Sequence, residues 1–190
     1  DIDVYNPNHF GGVFSTFNSD AVESIDLIKG GYPAKYGGRL SSVLDVTNRQ
    51  GNRVHPQGVA RLSLISSSAT LEGPWVWGKQ SGSYMASFRR TYLELIKAFY
   101  DELPDYYFYD GHAKFNWDLD ARNKLSASGY FGRDRLKFDF GAALHLDWGN
   151  KTFTTQWVHL FNPTLFSQFV LAGSEFTSNF DQVAESGEKT

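Results

Sequence analysis

An all-β architecture of antiparallel strands, long enough to cross a membrane, is predicted on three observations. From Gly58 onward, short runs with a period of two are separated by turn-rich clusters, and helical periodicity is nearly absent. Aromatic residues make up 16% of the chain (16 Phe, 10 Tyr, 5 Trp), yet the mean hydropathy is −0.39 and no 18-residue apolar run exists to form a membrane helix. The cleanest alternating run, Tyr107–Leu119, is well beyond the usual strand of about five or six residues. It also exceeds the roughly 9 to 11 residues that a tilted strand needs to span a bilayer.

In chain order, the first structured stretch is "SIDLIKGGYPAKYGGRLSSVLDV". It reads as two strand-like runs, with Gly30 and Gly31 ending the first, Pro33 fixing a turn, and Gly37 and Gly38 allowing a tight reversal before the second. The expectation is a small unit with closely approaching backbones. Strands are then predicted at Gly58–Ile65, Ala69–Trp75, Ser83–Thr91, Tyr107–Leu119, Lys124–Gly132, Lys151–His159 and Leu165–Ser174, with poor alternation in Ser83–Thr91 and Leu165–Ser174. Adjacent Arg89 and Arg90 cannot share a face without a bulge.

Within Tyr107–Leu119, Tyr107, Tyr109, Gly111, Ala113, Phe115, Trp117 and Leu119 fall on one face, and Phe108, Asp110, His112, Lys114, Asn116 and Asp118 on the other. Alternation alone does not say which face is wet, since a soluble sandwich would turn the apolar one inward. Tyrosines at one end and Trp117 at the other fit the aromatic girdles of a membrane barrel. Connector lengths point the same way. After a tight "SSS" turn at Ser66–Ser68 come a compact "VWGKQSG", a long Tyr92–Asp105, a short "DLDARN", a long Arg133–Gly149 and a short "FNPT". Short periplasmic turns and long outer loops alternate in outer-membrane barrels. Leu93, Ile96, Tyr100 and Leu103 stand at helical spacing inside the first long segment, so a short amphipathic helix is expected there.

Composition excludes several chemistries. With 18 Lys and Arg against 21 Asp and Glu, the formal net charge of −3 gives no strong field toward nucleic acid. No cysteine exists to form a disulfide, a thiolate metal site or a nucleophile. The histidines at 9, 55, 112, 145 and 159 are scattered without zinc spacing, "DLDARN" lacks the glycine and terminal glutamate of a calcium loop, and no G-x-S-x-G elbow or phosphate-binding loop occurs. The expectation is a protein that is not an enzyme and has no metal or cofactor. The chain begins at Asp1 with no cationic, apolar leader and ends in the polar "QVAESGEKT", which reads as a mature piece or a fragment.

The stretch "DAVESIDLIKGGYPAKYGGRLSSVLDVTNRQGN" resembles the C-terminal part of the plug domain of TonB-dependent outer-membrane receptors, in the form common among Bacteroidota. "VYNPNHFGGVFSTFNSDAV" before it is similar to that plug as well, and "LEGP" followed by "SGSYMASFRRTYLELI" is similar to the second and third barrel strands. "SSVLDV" stands where many plugs carry Gly-Gly-Val-Ile-Asn-Ile, and Lys35 where many carry Arg; both fit the Bacteroidota form better than the siderophore receptors.

The resemblance implies an antiparallel transmembrane β-barrel with an N-terminal plug, only partly present. Residues 1–52 would be the end of the plug, and 53–190 about the first seven of roughly 22 strands, joined by the polar linker "TNRQGNRVHPQG". Lys29, Gly30, Gly31, Tyr36, Gly37, Gly38 and Arg39 carry the plug motif. Arg39 would either pair with a wall carboxylate or stand solvated on the periplasmic side. Asp110, His112, Lys114 and Asn116 would face the lumen, with plug contact favoured over solute contact.

The implied function is import of an external ligand across the outer membrane of a Gram-negative bacterium. Energy would come from a TonB-type complex that engages an N-terminal segment this sequence does not show. Further implied partners are outer-membrane lipid and a surface lipoprotein, with no nucleic acid. Two rivals are a secreted glycan-binding β-sandwich and a passive porin or adhesion barrel.

Overall fold

A computed structural model describes residues 4, 8–9, 12, 14–38, 41–97, 99, 105–139 and 143–183. The protein is nearly all strand, and every pairing is antiparallel. Two short hairpins come first: β1 (Asn8–His9) with β2 (Phe14–Ser15), and β3 (Val22–Ile28) with β4 (Val43–Asn48). Between β3 and β4, the Pro33 carbonyl accepts from the Tyr36 amide (3.0 Å) to close a single 3-10 turn, Ala34–Tyr36. Gly31 and Gly38 flank that turn at φ +66° and +76°, angles that β-carbon sterics deny most residues.

The rest is one seven-stranded meander. Its strands are β5 (Gln57–Leu62), β6 (Ser66–Trp77), β7 (Gln80–Thr91), β8 (Asp105–Asp118), β9 (Asn123–Asp139), β10 (Ala143–Asn162) and β11 (Leu165–Val183), with a single helical turn, α1 (Leu93–Ile96), after β7. The sheet does not close: β5 pairs only with β6, and β11 only with β10.

Register lines up the outward residues in rows. Trp75, Gly82, Trp117, Leu125, Trp157 and Phe169 form one row across β6 to β11. Leu71, Ala86, Ala113, Gly129, Phe153 and Gly173 form another two rows on, and Arg90, Tyr109, Arg133 and Gly149 lie further along. This face is bare: Leu71 is 60% exposed, Phe115 41%, Phe153 51% and Phe169 65%.

The opposite face is polar and covered across β6 to β9, while β5 and β11 are exposed on both sides, with Phe166, Val170, Phe176 and Phe180 on the inward side of β11. Thr70, Glu72, Ser83, Ser87, Thr91, Asp110, Asn116 and Asp134 are buried there because hairpin β1–β2, the Asn18 segment and the linker after β4 lie against it. The sheet is therefore inside-out by the standard of a soluble sandwich.

Several expectations are corrected. Ser66–Ser68 is not a turn but the start of β6. The reversal is Ser63–Ile65, where the Ser63 hydroxyl accepts from the Ser66 amide (3.0 Å) and so draws the turn three residues earlier. Arg133–Gly149 is not a long loop: β9 runs to Asp139 and β10 starts at Ala143, paired residue for residue, because "RDRLKFD" and "LHLDWGN" each keep the period of two. The long-short alternation of connectors consequently fails at that point. Gln80–Thr91 alternates cleanly, without a register shift against β6 or β8, so Arg89 and Arg90 simply face opposite sides. Of the predicted helix, Leu93 and Ile96 lie in α1, while Tyr100 and Leu103 lie outside the described residues.

Nor do the motif glycines bring backbones together: nothing within 4 Å would meet a β-carbon at Gly30, Gly31 or Gly38. Close approach occurs at Gly51 in the linker, where φ is +85° and a β-carbon would sit 2.4 Å from the Tyr84 carbonyl oxygen. Gly51→Ala is expected to cost roughly 1 to 3 kcal/mol in a urea melt, from left-handed strain plus a shifted linker. A loss within error would show that the linker does not pack on β7 as described.

Candidate functional site

The covered face holds three groups of polar side chains, each placed by strand parity. The densest is a buried cluster on β7, β8 and β9. In β8 the run "YYFYDGHAKFNWD" turns Tyr106, Phe108, Asp110, His112, Lys114 and Asn116 to the covered side. Asp110, only 2% exposed, accepts from the Arg89 guanidinium at 2.7 Å. Arg89 also donates to the Ser15 carbonyl (2.7 Å) in β2, and its guanidinium carbon sits 4.9 Å over the Phe108 ring.

His9 of β1 completes the cluster. Its Nδ1 lies 2.7 Å from Asp134 Oδ2, its Nε2 3.7 Å from Asp110 Oδ2, and its ring stacks on Phe108 at 3.9 Å. Asp134 accepts a further bond from the Tyr106 hydroxyl. Two buried carboxylates thus meet one guanidinium and one imidazole. Charges at such depth are tolerated only when paired and hydrogen-bonded.

The second group binds the linker. The Gln50 carbonyl accepts from Ser83 Oγ (2.7 Å) and Asn116 Nδ2 (2.6 Å), while Arg49 reaches Glu72 at 2.6 Å and Arg53 reaches Asp118 at 2.5 Å. Asn18 Nδ2 donates to Ser87 Oγ at 2.7 Å. Arg61 makes a two-pronged bond to Asp20 (2.7 and 2.8 Å), and that bond is the main cause holding the Asp20 carboxyl below its usual range.

The third group lines a cavity of about 710 Å3 between the amino-terminal hairpins and strands β8 to β10, bordered by Asn18, Asp45, Asp110, His112, Tyr130 and Thr152 among others. Among the described residues, His112 Nδ1 and the Tyr130 hydroxyl are buried there without a hydrogen-bond partner.

The residues singled out from sequence divide cleanly. Asp110, His112, Lys114 and Asn116 all lie on the covered face; Asn116 bonds to the linker, and Asp110 stands 3.7 Å from His9 of the amino-terminal unit. Lys29, Gly30, Gly31, Gly37 and Gly38 are exposed, with Gly37 and Tyr36 at the border of the cavity, and Tyr36 donates to Asp45 within its own hairpin. Arg39 lies outside the described residues.

Sequence reasoning passed over His9, Arg89 and Asp134. Parity in "SFRRTY" puts Arg89 on the Ser87 side, and was available; His9 and Asp134 are 125 residues apart and carry no local signal. Among the described residues no three His, Asp or Glu are gathered as a metal ion would need. What the arrangement does chemically is fasten one unit to the other through desolvated charge, hydroxyls and a stacked ring. Comparison of the chain with protein-family models, curated proteins and solved structures gives no match.

Proposed function

We propose that the chain is the end of the plug and the first seven barrel strands of a TonB-dependent outer-membrane receptor, which imports a bound external ligand with energy coupled from the inner membrane. The observation that carries this reading is the inside-out sheet: a polar face buried under the amino-terminal unit and an apolar, aromatic-rowed face left bare. In water that arrangement wastes the hydrophobic effect; in a bilayer it places each face in its own solvent.

Dimensions agree with the reading. Trp117 and Tyr109 stand eight residues apart on one face. That is about 27 Å at about 3.4 Å per residue, or about 21 Å once tilted by about 40°, near the roughly 25 Å apolar band of such barrels. Within that band, among the described residues, the outward charges are the Lys151–Glu175 pair (3.3 Å), and from the Tyr109 row onward charges dominate, with Arg90 and Arg133 in that row and Arg135 bonded to Asp147 (2.9 Å) and Tyr107 (3.0 Å).

Orientation follows from the linker. It enters the sheet at the end that carries the reversals Gly78–Lys79 and Pro163–Thr164, shown by the Arg53–Asp118 pair, so that end is periplasmic and the Tyr92–Asp105 connector is external. Strands β5 and β11, each with a free edge, would be joined by the remaining strands of the barrel. Lipid, the TonB-type complex and a surface lipoprotein are the partners this reading entails, and no enzymatic step or cofactor belongs to it.

The test uses the full-length receptor in a Gram-negative cell. Expected are heat-modifiable migration from the outer membrane, surface antibody reaching a tag after Phe99 but not one after Ala121, and loss of cross-linking to the energy-transducing complex when the upstream contact segment is deleted. A soluble secreted product, or a tag at Ala121 accessible from outside, would overturn the reading.

A further inference from the structure

The contacts between the amino-terminal unit and the sheet are ordered along the chain, and the order has mechanical meaning. This inference rests on the receptor reading just given. Among the described residues, His9 is the first in sequence to bond the wall, and Ser15, six residues on, is fastened to the same cluster through Arg89. The hairpin β1–β2 is therefore clamped in both of its strands: by an imidazole set against Asp134 and Asp110 and stacked on Phe108, and by a guanidinium bond to its return strand.

The cluster is buried, with the His9, Asp110 and Asp134 side chains each 3% exposed. Apart from one neutral buried hydrogen bond, Asn18 to Ser87 at 2.7 Å, the contacts that follow are of another kind. In each of these the guanidinium stays in water: Arg61 is 65% exposed against Asp20 at 13%, Arg53 49% against Asp118 at 24%, and Arg49 40% against Glu72 at 5%. Solvated pairs of that sort contribute little, whereas separating a buried pair leaves charge without compensation.

We propose that the His9 cluster is the force-bearing fastening of the plug. A pull delivered from upstream loads His9 before any other described wall contact, so hairpin β3–β4 stays in place until that cluster yields. Once it yields, the weaker contacts, the neutral Asn18–Ser87 bond and the arginine pairs, give way together and the chain is freed as far as the linker, which Gln50 ties to Ser83 and Asn116. Opening is thus a threshold event set by His9, Asp134, Asp110 and Arg89 rather than a gradual peeling.

Single-molecule pulling on the amino terminus of the full-length receptor in a lipid bilayer tests this. The first rupture should leave from an anchor at residues 9–15, and the length it releases should span Ser15 to Arg49, about 115 Å at about 3.4 Å per residue. His9→Phe, which keeps a ring over Phe108 but removes the imidazole from the carboxylates, should lose that first rupture. Asp134→Asn, made on the wall side, should lose it too, while Arg61→Ala should retain it. The inference is overturned if the wild-type trace first anchors at Arg49, if the rupture persists in both cluster variants, or if Arg61→Ala abolishes it. Heat-modifiable migration of each protein separates the two claims: a normal barrel with the wrong rupture pattern refutes the fastening alone, and a wild-type protein that never migrates as a barrel refutes the receptor reading and this inference with it.

Discussion

Ala113→Arg is expected to remove most of the assembled protein from the membrane, whereas His112→Gln and Lys114→Gln, on either side of it, should assemble normally. Ala113 sits mid-strand in β8 on the bare face, opposite Ala86 and Gly129, between rows of phenylalanine and tryptophan. If that face meets lipid, an arginine there costs roughly 2 to 4 kcal/mol, a large share of the about 5 to 15 kcal/mol by which folded proteins are stable. His112 and Lys114 face the covered side, where water and polar neighbours accept a neutral amide. Heat-modifiable protein, quantified from membranes beside a synthesis control, reads the difference. In a soluble protein the outcome would reverse, since an arginine on an exposed surface is harmless and a change under the hairpins is felt. Equal assembly of Ala113→Arg and the parent would therefore remove the membrane reading.

Arg89→Met is expected to be the most damaging change on the covered face. It leaves the Asp110 carboxylate buried beside Asp134 without its guanidinium partner, and it removes the donor to the Ser15 carbonyl. Breaking a buried pair from one side costs about 3 to 5 kcal/mol, because the remaining charge has lost its compensation without regaining water. Adding Asp110→Asn should recover part of the loss, so the double variant should be more stable than Arg89→Met alone. A double-mutant cycle in denaturant measures the coupling. A loss below about 1 kcal/mol would place Arg89 in solvent and dissolve the cluster.

Much of the local structure was legible in the order of residues. A period of two is a backbone property, and it assigned the two faces of β8 before any partner was known, Ala113 on one side and His112 and Lys114 on the other; pairing then carries Gly129 and Phe153 to the side of Ala113. Gly31 and Gly38 likewise marked backbone that β-carbon sterics exclude for most other residues. Strand ends were less legible. The charged "RDRLKFD" looks like loop by composition, yet continues β9 because β8 and β10 offer it partners through Lys137, and a hydrogen-bonding partner is not a property of the segment itself.

Which face is covered was decided only by the tertiary structure, because alternation is symmetric between an inward and an outward apolar side. Hairpin β1–β2, the Asn18 segment and the linker after β4 broke that symmetry by lying against the polar side. The same docking made a site of His9, Arg89, Asp110 and Asp134, drawn from four separate strands. Each is an ordinary charged or titratable residue until its neighbours remove it from water. Their common desolvation, which gives the cluster its strength, exists only once the chain has brought residues 125 positions apart to within 2.7 Å of each other.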